Sequence, residues 1–346
     1  MTSEDVRNEA RKKLKGICGV YRDCDGLPNR ICQGQSYGGT LGIGGIGAGY
    51  SFSNNVKALA NIHFKMRLIS SHFTPDTSTT IFGKKVSMPV YGAPVTGVNS
   101  FGGEDVITEE EFCRATVLGC REAGSIGWRG DTFTYTLEKS FGLNAIKEAD
   151  GWGIKICKPR DQETLKQFIK KAEKVNAIAV GVDVDGCGSF AMAAHDKPVY
   201  RKSIADLKEL SDSTELPFII KGVMCVEDAE AAVQAGTDAV VVSNHGGRVL
   251  DHTPGTAEVL PDIIAALKGK ILILVDGGVR TGYDVLKMLA LGADGVLVGR
   301  DIVRAAVGGG IEGVRIQMDY IKKTLSRAML MTGCPSVKDI SKNILI

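Results

Sequence analysis

Three side chains suited to handling protons and charge stand at the ends of short apolar runs. Asp183 closes Ile178 to Val182, Lys221 follows Phe218-Ile-Ile, and His245 lies in Val241-Val-Ser-Asn-His-Gly-Gly-Arg248. A histidine followed by two glycines can be approached freely, and its near-neutral pKa suits proton abstraction. Asp183 within hydrogen-bond reach would orient the imidazole and favour its protonated form. Lys221 would hold positive charge against an anionic intermediate or a reduced cofactor, and Arg248 would grip a carboxylate through two parallel hydrogen bonds. Singly, each residue has a structural explanation as an ion pair, a capped strand or a solvated loop. Their joint placement at strand ends favours chemistry.

A second constellation follows in Leu274-Val-Asp-Gly-Gly-Val-Arg280 and Gly295-Val-Leu-Val-Gly-Arg300. Backbone around Gly277, Gly278 and Gly299 can approach an anion closely, and Arg280 and Arg300 offer guanidinium forks matched to a phosphate. One Gly-Gly pair alone would be read as a turn. Two Gly/Arg clusters one βα unit apart read as a phosphate site built after the last two strands of an α/β barrel.

The elements that must hold these groups are legible from hydrophobic period. Strands are predicted at Met88 to Ala93, Ser125 to Trp128, Gly153 to Cys157, Ile178 to Val182, Phe218 to Ile220, Ala239 to Val242, Ile271 to Val275 and Gly295 to Val298. Their β-branched runs suit buried parallel strands. Amphipathic helical patterns lie between most of them. Thr108-Glu-Glu-Glu111 has capping-box spacing, and Gly124, Gly236 and Gly292 follow helices as left-handed caps. Eight strands alternating with helices predict a (β/α)8 TIM barrel over 76–346, preceded by a glycine- and cysteine-containing extension over 1–75. A closing helix is expected from Ile311 to Thr332, stopped by Gly333 and Pro335.

Composition narrows the partners. A formal charge of +2 over 346 residues provides no long-range attraction for nucleic acid or an acidic membrane. No apolar run approaches the length of a membrane span, and the polar first residues show no secretory core, so a soluble cytoplasmic protein is expected. Nine cysteines, six of them dispersed, suit reduced thiols. Cys18, Cys24 and Cys32 could ligate a metal, but their C-x5-C-x7-C spacing matches no C-x2-C pattern, and no metal is assigned. The glycines from Gly38 to Gly49 exclude a regular helix and read as an irregular loop.

Taken together, Phe218-Ile-Ile-Lys-Gly-Val, Ser243-Asn-His-Gly-Gly-Arg-Val-Leu-Asp251, Asp276-Gly-Gly-Val-Arg-Thr-Gly-Tyr-Asp284, Gly299-Arg300 and Asp76 to Pro89 leading into Ala93-Pro94 resemble the FMN-dependent 2-hydroxy acid oxidase and dehydrogenase family, which includes glycolate and lactate oxidases. The likeness runs from about Asn55 to the C-terminus. It implies FMN as cofactor, oxidation of a small-molecule 2-hydroxy acid to the 2-keto acid, oxygen or another acceptor, and a homo-oligomer, tetramer or octamer. It casts His245 as base, Asp183 as its support, Arg248 as carboxylate ligand and Lys221 as the cation near the flavin. Pro94, Val95, Thr96, Ser243, Asp276, Gly277, Gly278, Arg280, Gly299 and Arg300 would hold the cofactor.

The chain also departs from the pattern. Where the family has a tyrosine on the third strand, Lys155 stands here as the substrate-binding candidate, with Gly153 two residues earlier in place of a glutamine. The family's second arginine, shortly after Asp183, is absent from Val184-Asp-Gly-Cys-Gly-Ser-Phe190. The N-terminal tyrosine has no clear counterpart, although Tyr37 and Tyr50 are nearby, and 37 residues between Asp183 and Lys221 imply a shortened lid loop. Half of the carboxylate clamp is thus missing. Two other readings stay open: an FMN barrel isomerase acting on isoprenoid diphosphates, and a non-catalytic flavin-binding protein.

Overall fold

The computed structural model describes residues 1–14 and 45–346. Cys18, Cys24, Cys32, Tyr37 and the first glycines of the N-terminal stretch lie outside the described residues. Helix α1 (Ser3–Lys13) is closed by a Thr2/Asp5 capping box, and α2 (Tyr50–Ala60) follows. An antiparallel hairpin, β1 (Thr79–Ile81) and β2 (Lys84–Val86), then precedes the repeating unit.

That unit runs β3 (Val90–Gly92), α3 (Glu109–Glu122), β4 (Trp128–Arg129), α4 (Phe141–Glu148), β5 (Ile154–Cys157), α5 (Gln162–Lys174) and β6 (Ala179–Asp183). It continues through the short α6 (Phe190–Ala193), α7 (Ile204–Ser211), β7 (Phe218–Val223), α8 (Val226–Gln234), β8 (Ala239–Val242), α9 (Thr256–Leu267), β9 (Leu272–Val275), α10 (Gly282–Ala290), β10 (Gly295–Val298) and α11 (Arg300–Thr332). Strands β3 to β10 form one parallel sheet in which β3 pairs with β10, and a parallel bridge between Gly92 and Gly127 closes it. The molecule is a (β/α)8 barrel, and each of the eight expected runs overlaps a strand.

Two apolar layers follow from the period of 2 in every strand. Tyr91, Trp128, Ile154, Ile156, Ile219, Val241, Leu274 and Leu297 fill the barrel interior. Their neighbours, among them Val180, Val182, Ile220, Val240, Val242 and Val296, pack outward against the helices. The capping box at Thr108 is present, with Glu111 N donating to Thr108 Oγ1 at 3.1 Å and Thr108 N donating back to Glu111 Oε2 at 3.0 Å. Gly124, Gly236 and Gly292 all have positive φ, as their capping roles require.

The last helix differs from expectation. It starts at Arg300, directly after the phosphate-type loop, and bends at Gly309 (φ −159°, ψ 16°) and Gly310 (φ 59°, ψ −140°) before its second arm runs to Thr332. Val314, Met318, Ile321, Leu325 and Met329 form one buried apolar stripe that marks that second arm in the sequence; the first arm is too glycine- and alanine-rich to show a separate stripe.

Gly282, the first residue of α10, touches α11 so closely that a Cβ there would run into Leu325 N and lie 2.5 Å from Ile321 O. Both are backbone atoms and cannot rotate away. Gly282→Ala is therefore expected to cost about 3 kcal/mol or more by overpacking. Gly269→Ala, at φ 80° with nothing within 4 Å, should cost only about 1 kcal/mol of backbone strain. Urea midpoints of the two variants check the order.

Candidate active site

Parity along the strands decides which side chains reach the barrel mouth. In β6 the inward series is Ala179, Gly181, Asp183; in β7 it is Ile219, Lys221; after β8 it reaches Ser243, and after β9 Asp276. Four strand ends thus deliver Asp183, Lys221, Ser243 and Asp276 toward one axis. His245 follows with φ 57°, a left-handed turn continued by Gly246 and Gly247 at φ 63° and 80°.

These groups meet. Lys221 Nζ lies 3.4 Å from Asp276 Oδ2 and 3.9 Å from Asp183 Oδ1, and it donates to Ser243 Oγ at 2.8 Å. His245 Nδ1 lies 3.4 Å from Asp183 Oδ1, yet its shorter contact is with Asp185 Oδ1 at 2.9 Å. With Nδ1 turned to a carboxylate, Nε2 is the nitrogen left for substrate. His245 keeps 24% exposure while Asp183 keeps 8%, so the imidazole is reachable and the carboxylate beside it is covered.

The charges are mutually dependent. Burial opposes ionisation of Asp183, but His245, Lys158 and Lys221 around it hold its pKa well below the usual carboxylate range. Asp185 is pushed up to about 6, first by burial and then by the charge of Asp183 beside it. Burial also opposes the charge of Lys221, which Asp276, Asp183 and Asp185 outweigh, so its pKa rises. For His245 burial lowers the pKa, and the two aspartates more than offset this, against the opposing charges of Lys158 and Lys221; the net direction is upward.

One cleft joins this cluster to the Gly/Arg loops. It encloses about 1420 Å³, open solvent at its mouth included, and is lined by Pro94, Val95, Thr96, Lys221, His245, Arg248, Asp276, Gly277, Gly278, Arg280, Gly299 and Arg300. Gly277 (φ 107°) and Gly278 (φ 76°) leave no room for side chains, since a Cβ would meet Thr256 Oγ1 at 2.5 Å or Asn55 O at 2.9 Å. Arg300 donates to Gly246 O at 2.9 Å and lies over the Phe52 ring, which ties the phosphate-type loop to the histidine turn.

Two expectations, for Lys155 and Ser243, need correction. Lys155 faces outward with no exposure; its ammonium meets Gly130 O and lies over the Tyr135 and Phe168 rings. On β5 the inward residues are Ile154 and Ile156, so the next inward position is Lys158, and it is Lys158 that lines the cleft. Ser243 is fully buried beneath Lys221 and lies off the cleft wall, where it acts as that lysine's acceptor. Tyr50 is 43% exposed and pairs with the His252 ring away from the cleft.

Besides Lys158, two further groups were given no role at the site by the sequence reading. Asp185 has no strand to announce it: it lies on a 3-10 turn over Gly222, where a Cβ would come within 2.5 Å of its Cγ. Glu109 is 4% exposed and accepts from Gly97 N at 3.0 Å, Val98 N at 2.8 Å and Tyr135 Oη at 2.8 Å. It anchors from behind the loop that carries Pro94, Val95 and Thr96. Its position in the capping-box run marked it only as a helix start.

Comparison with known proteins places this arrangement. The model of the FMN-dependent dehydrogenase family matches residues 42–197 and 188–346. The chain belongs to this family. It is 32% identical to a peroxisomal (S)-2-hydroxyacid oxidase of Arabidopsis thaliana, over 87% of this chain and 89% of that protein. It is 30% identical to 2-hydroxyacid oxidase 1 of Homo sapiens, over 85% and 88%. Among solved structures, a mandelate oxidase variant with 2-hydroxy-phenylacetamide superposes with a TM-score of 0.77 at 29% identity, over 97% of this chain and 95% of that one.

FMN is the cofactor of this family, and the cleft fits it. Asp276 lines the cleft, and its buried Oδ1 has no hydrogen-bond partner among the described residues, an acceptor suited to a ribityl hydroxyl. The side-chain-free Gly277 and Gly278 and the guanidinium groups of Arg280 and Arg300 suit its phosphate. The substrate-side prediction follows from the charges. The neutral imidazole is the active form of a base, so kcat/KM should rise with pH through a pKa above the ordinary value of about 6.5. Asp185→Asn removes one of the charges that raise it, and the limb should move to lower pH. A kcat/KM profile for both proteins measures this.

Proposed function

We propose that this dehydrogenase oxidises the α-carbon of a small 2-hydroxy acid to the keto acid, with His245 as the base. The observation that carries the reading is a single cleft in which a carboxylate-oriented histidine, a buried lysine and Arg248 face two arginine-bearing glycine loops. FMN bound there would supply a two-electron acceptor.

His245 Nε2 takes the proton of the substrate hydroxyl while Asp185, and behind it Asp183, stabilises the imidazolium that forms. Arg248 receives the substrate carboxylate. Lys221 is held charged by Asp183 and Asp276 and places a fixed cation at the floor of the cleft, where it favours negative charge. Arg280, Arg300 and the backbone of Gly277 and Gly278 hold the phosphate, and Pro94 to Thr96 form the wall that Glu109 braces.

An isoprenoid diphosphate isomerase is not favoured, since the relatives named above are oxidases and the base shares its cleft with Arg248. Among the described residues no helix is long and apolar enough to cross a membrane. We assign the enzyme to the cytoplasm; the six described cysteines are unpaired, which accords with a reducing compartment. A homo-oligomer, tetramer or octamer, is part of the same reading, and light scattering of the purified chain tests it.

Anaerobic addition of lactate, glycolate or a longer 2-hydroxy acid should bleach the bound flavin of the native protein. His245→Ala should slow bleaching by about 10²- to 10⁴-fold. Bleaching at an unchanged rate in that variant would refute the base. A flavin-loaded protein that none of these acids bleaches would favour a non-catalytic binding protein.

A further inference from the structure

The chain lacks an arginine in Val184 to Phe190, yet the cleft contains a cation beside the base. Lys158 Nζ lies 2.8 Å from Asp183 Oδ2 and 3.4 Å from His245 Nε2, the nitrogen that faces substrate. Its side chain is 9% exposed, and the exposed part belongs to the cleft wall.

The lysine is held there from both ends. Its backbone N donates to Asp131 Oδ2 at 3.2 Å, and Arg160 grips that carboxylate with Nε at 2.8 Å and Nη2 at 2.9 Å. Its stem passes over Gly186, where a Cβ would come within 2.9 Å of Lys158 Cδ and 3.2 Å of Nζ. Gly186 does not have positive φ, so this glycine is required for space rather than for backbone conformation.

An ammonium carries three N–H donors. Asp183 takes one at full strength. The 3.4 Å approach to Nε2 is longer than a normal N–H hydrogen bond, so donor capacity remains on the side where substrate enters. We infer that Lys158 is the second cation of the substrate carboxylate site and acts with Arg248 in place of the missing arginine. This inference rests on the 2-hydroxy acid reading. A point charge selects a carboxylate by charge rather than by a planar two-bond match.

The test uses the flavin-loaded full chain and follows the flavin absorbance on titration with pyruvate and with its neutral analogue pyruvamide. Lys158→Met should weaken pyruvate binding about tenfold or more, the loss expected for a hydrogen bond to a charged group. Pyruvamide binding should change less than about twofold, and Lys158→Arg should restore a large part of the preference for pyruvate. Equal weakening of both ligands would show that Lys158 only supports Asp183 and His245, and would overturn the assignment. So would an unchanged ratio in Lys158→Met. If native protein binds neither ligand and no 2-hydroxy acid bleaches its flavin, the functional reading fails and this assignment falls with it.

Discussion

Asp183 is the interaction on which the mouth of the barrel depends. Its carboxylate is nearly buried and faces Lys158, Lys221 and His245 from three different strand ends. A buried carboxylate without such partners would be driven to its neutral form, and each of these cations would be equally costly alone. Because the four groups compensate one another, removing one leaves the others with unbalanced charge. That coupling keeps a histidine of raised pKa beside a lysine held charged by Asp183 and Asp276, within a cleft that admits substrate.

Barrel closure makes this convergence possible. Parallel strands joined in one ring expose their C-terminal ends on one face, and alternate residues point to the axis. The same alternation that packs Ile219, Val241 and Leu274 into the interior carries Lys221, Ser243 and Asp276 to its upper layer. Glycines then supply clearance: Gly222 makes room for Asp185 and Gly186 for Lys158, while Gly277 and Gly278 pack closely against Thr256 and Asn55. Behind the wall, buried Glu109 receives the backbone amides of Gly97 and Val98, directly after Pro94 to Thr96, so a residue outside the cleft helps set the shape of its wall. Arg129 lies 3.6 Å from Glu109 and compensates its charge there.

Most of the fold and the outline of the site were legible in the chain itself. Strong apolar runs ending in polar clusters located all eight strands, and Asp183, Lys221, His245, Arg280 and Arg300 stood out because each lies just after such a run, the last three near glycines. These signals are local: burial on both faces of a parallel strand imposes them on neighbouring residues. What only the tertiary structure decided is which lysine of Ile154-Lys-Ile-Cys-Lys158 faces the axis, that Asp185 rather than Asp183 makes the closer contact with His245, and that Glu109 reaches across to the cofactor wall. The first depends on the register of β5 within the closed ring, the second on a contact between residues 60 positions apart, and the third on a loop folding back against the helix that follows it, for which no spacing of residue types leaves a trace.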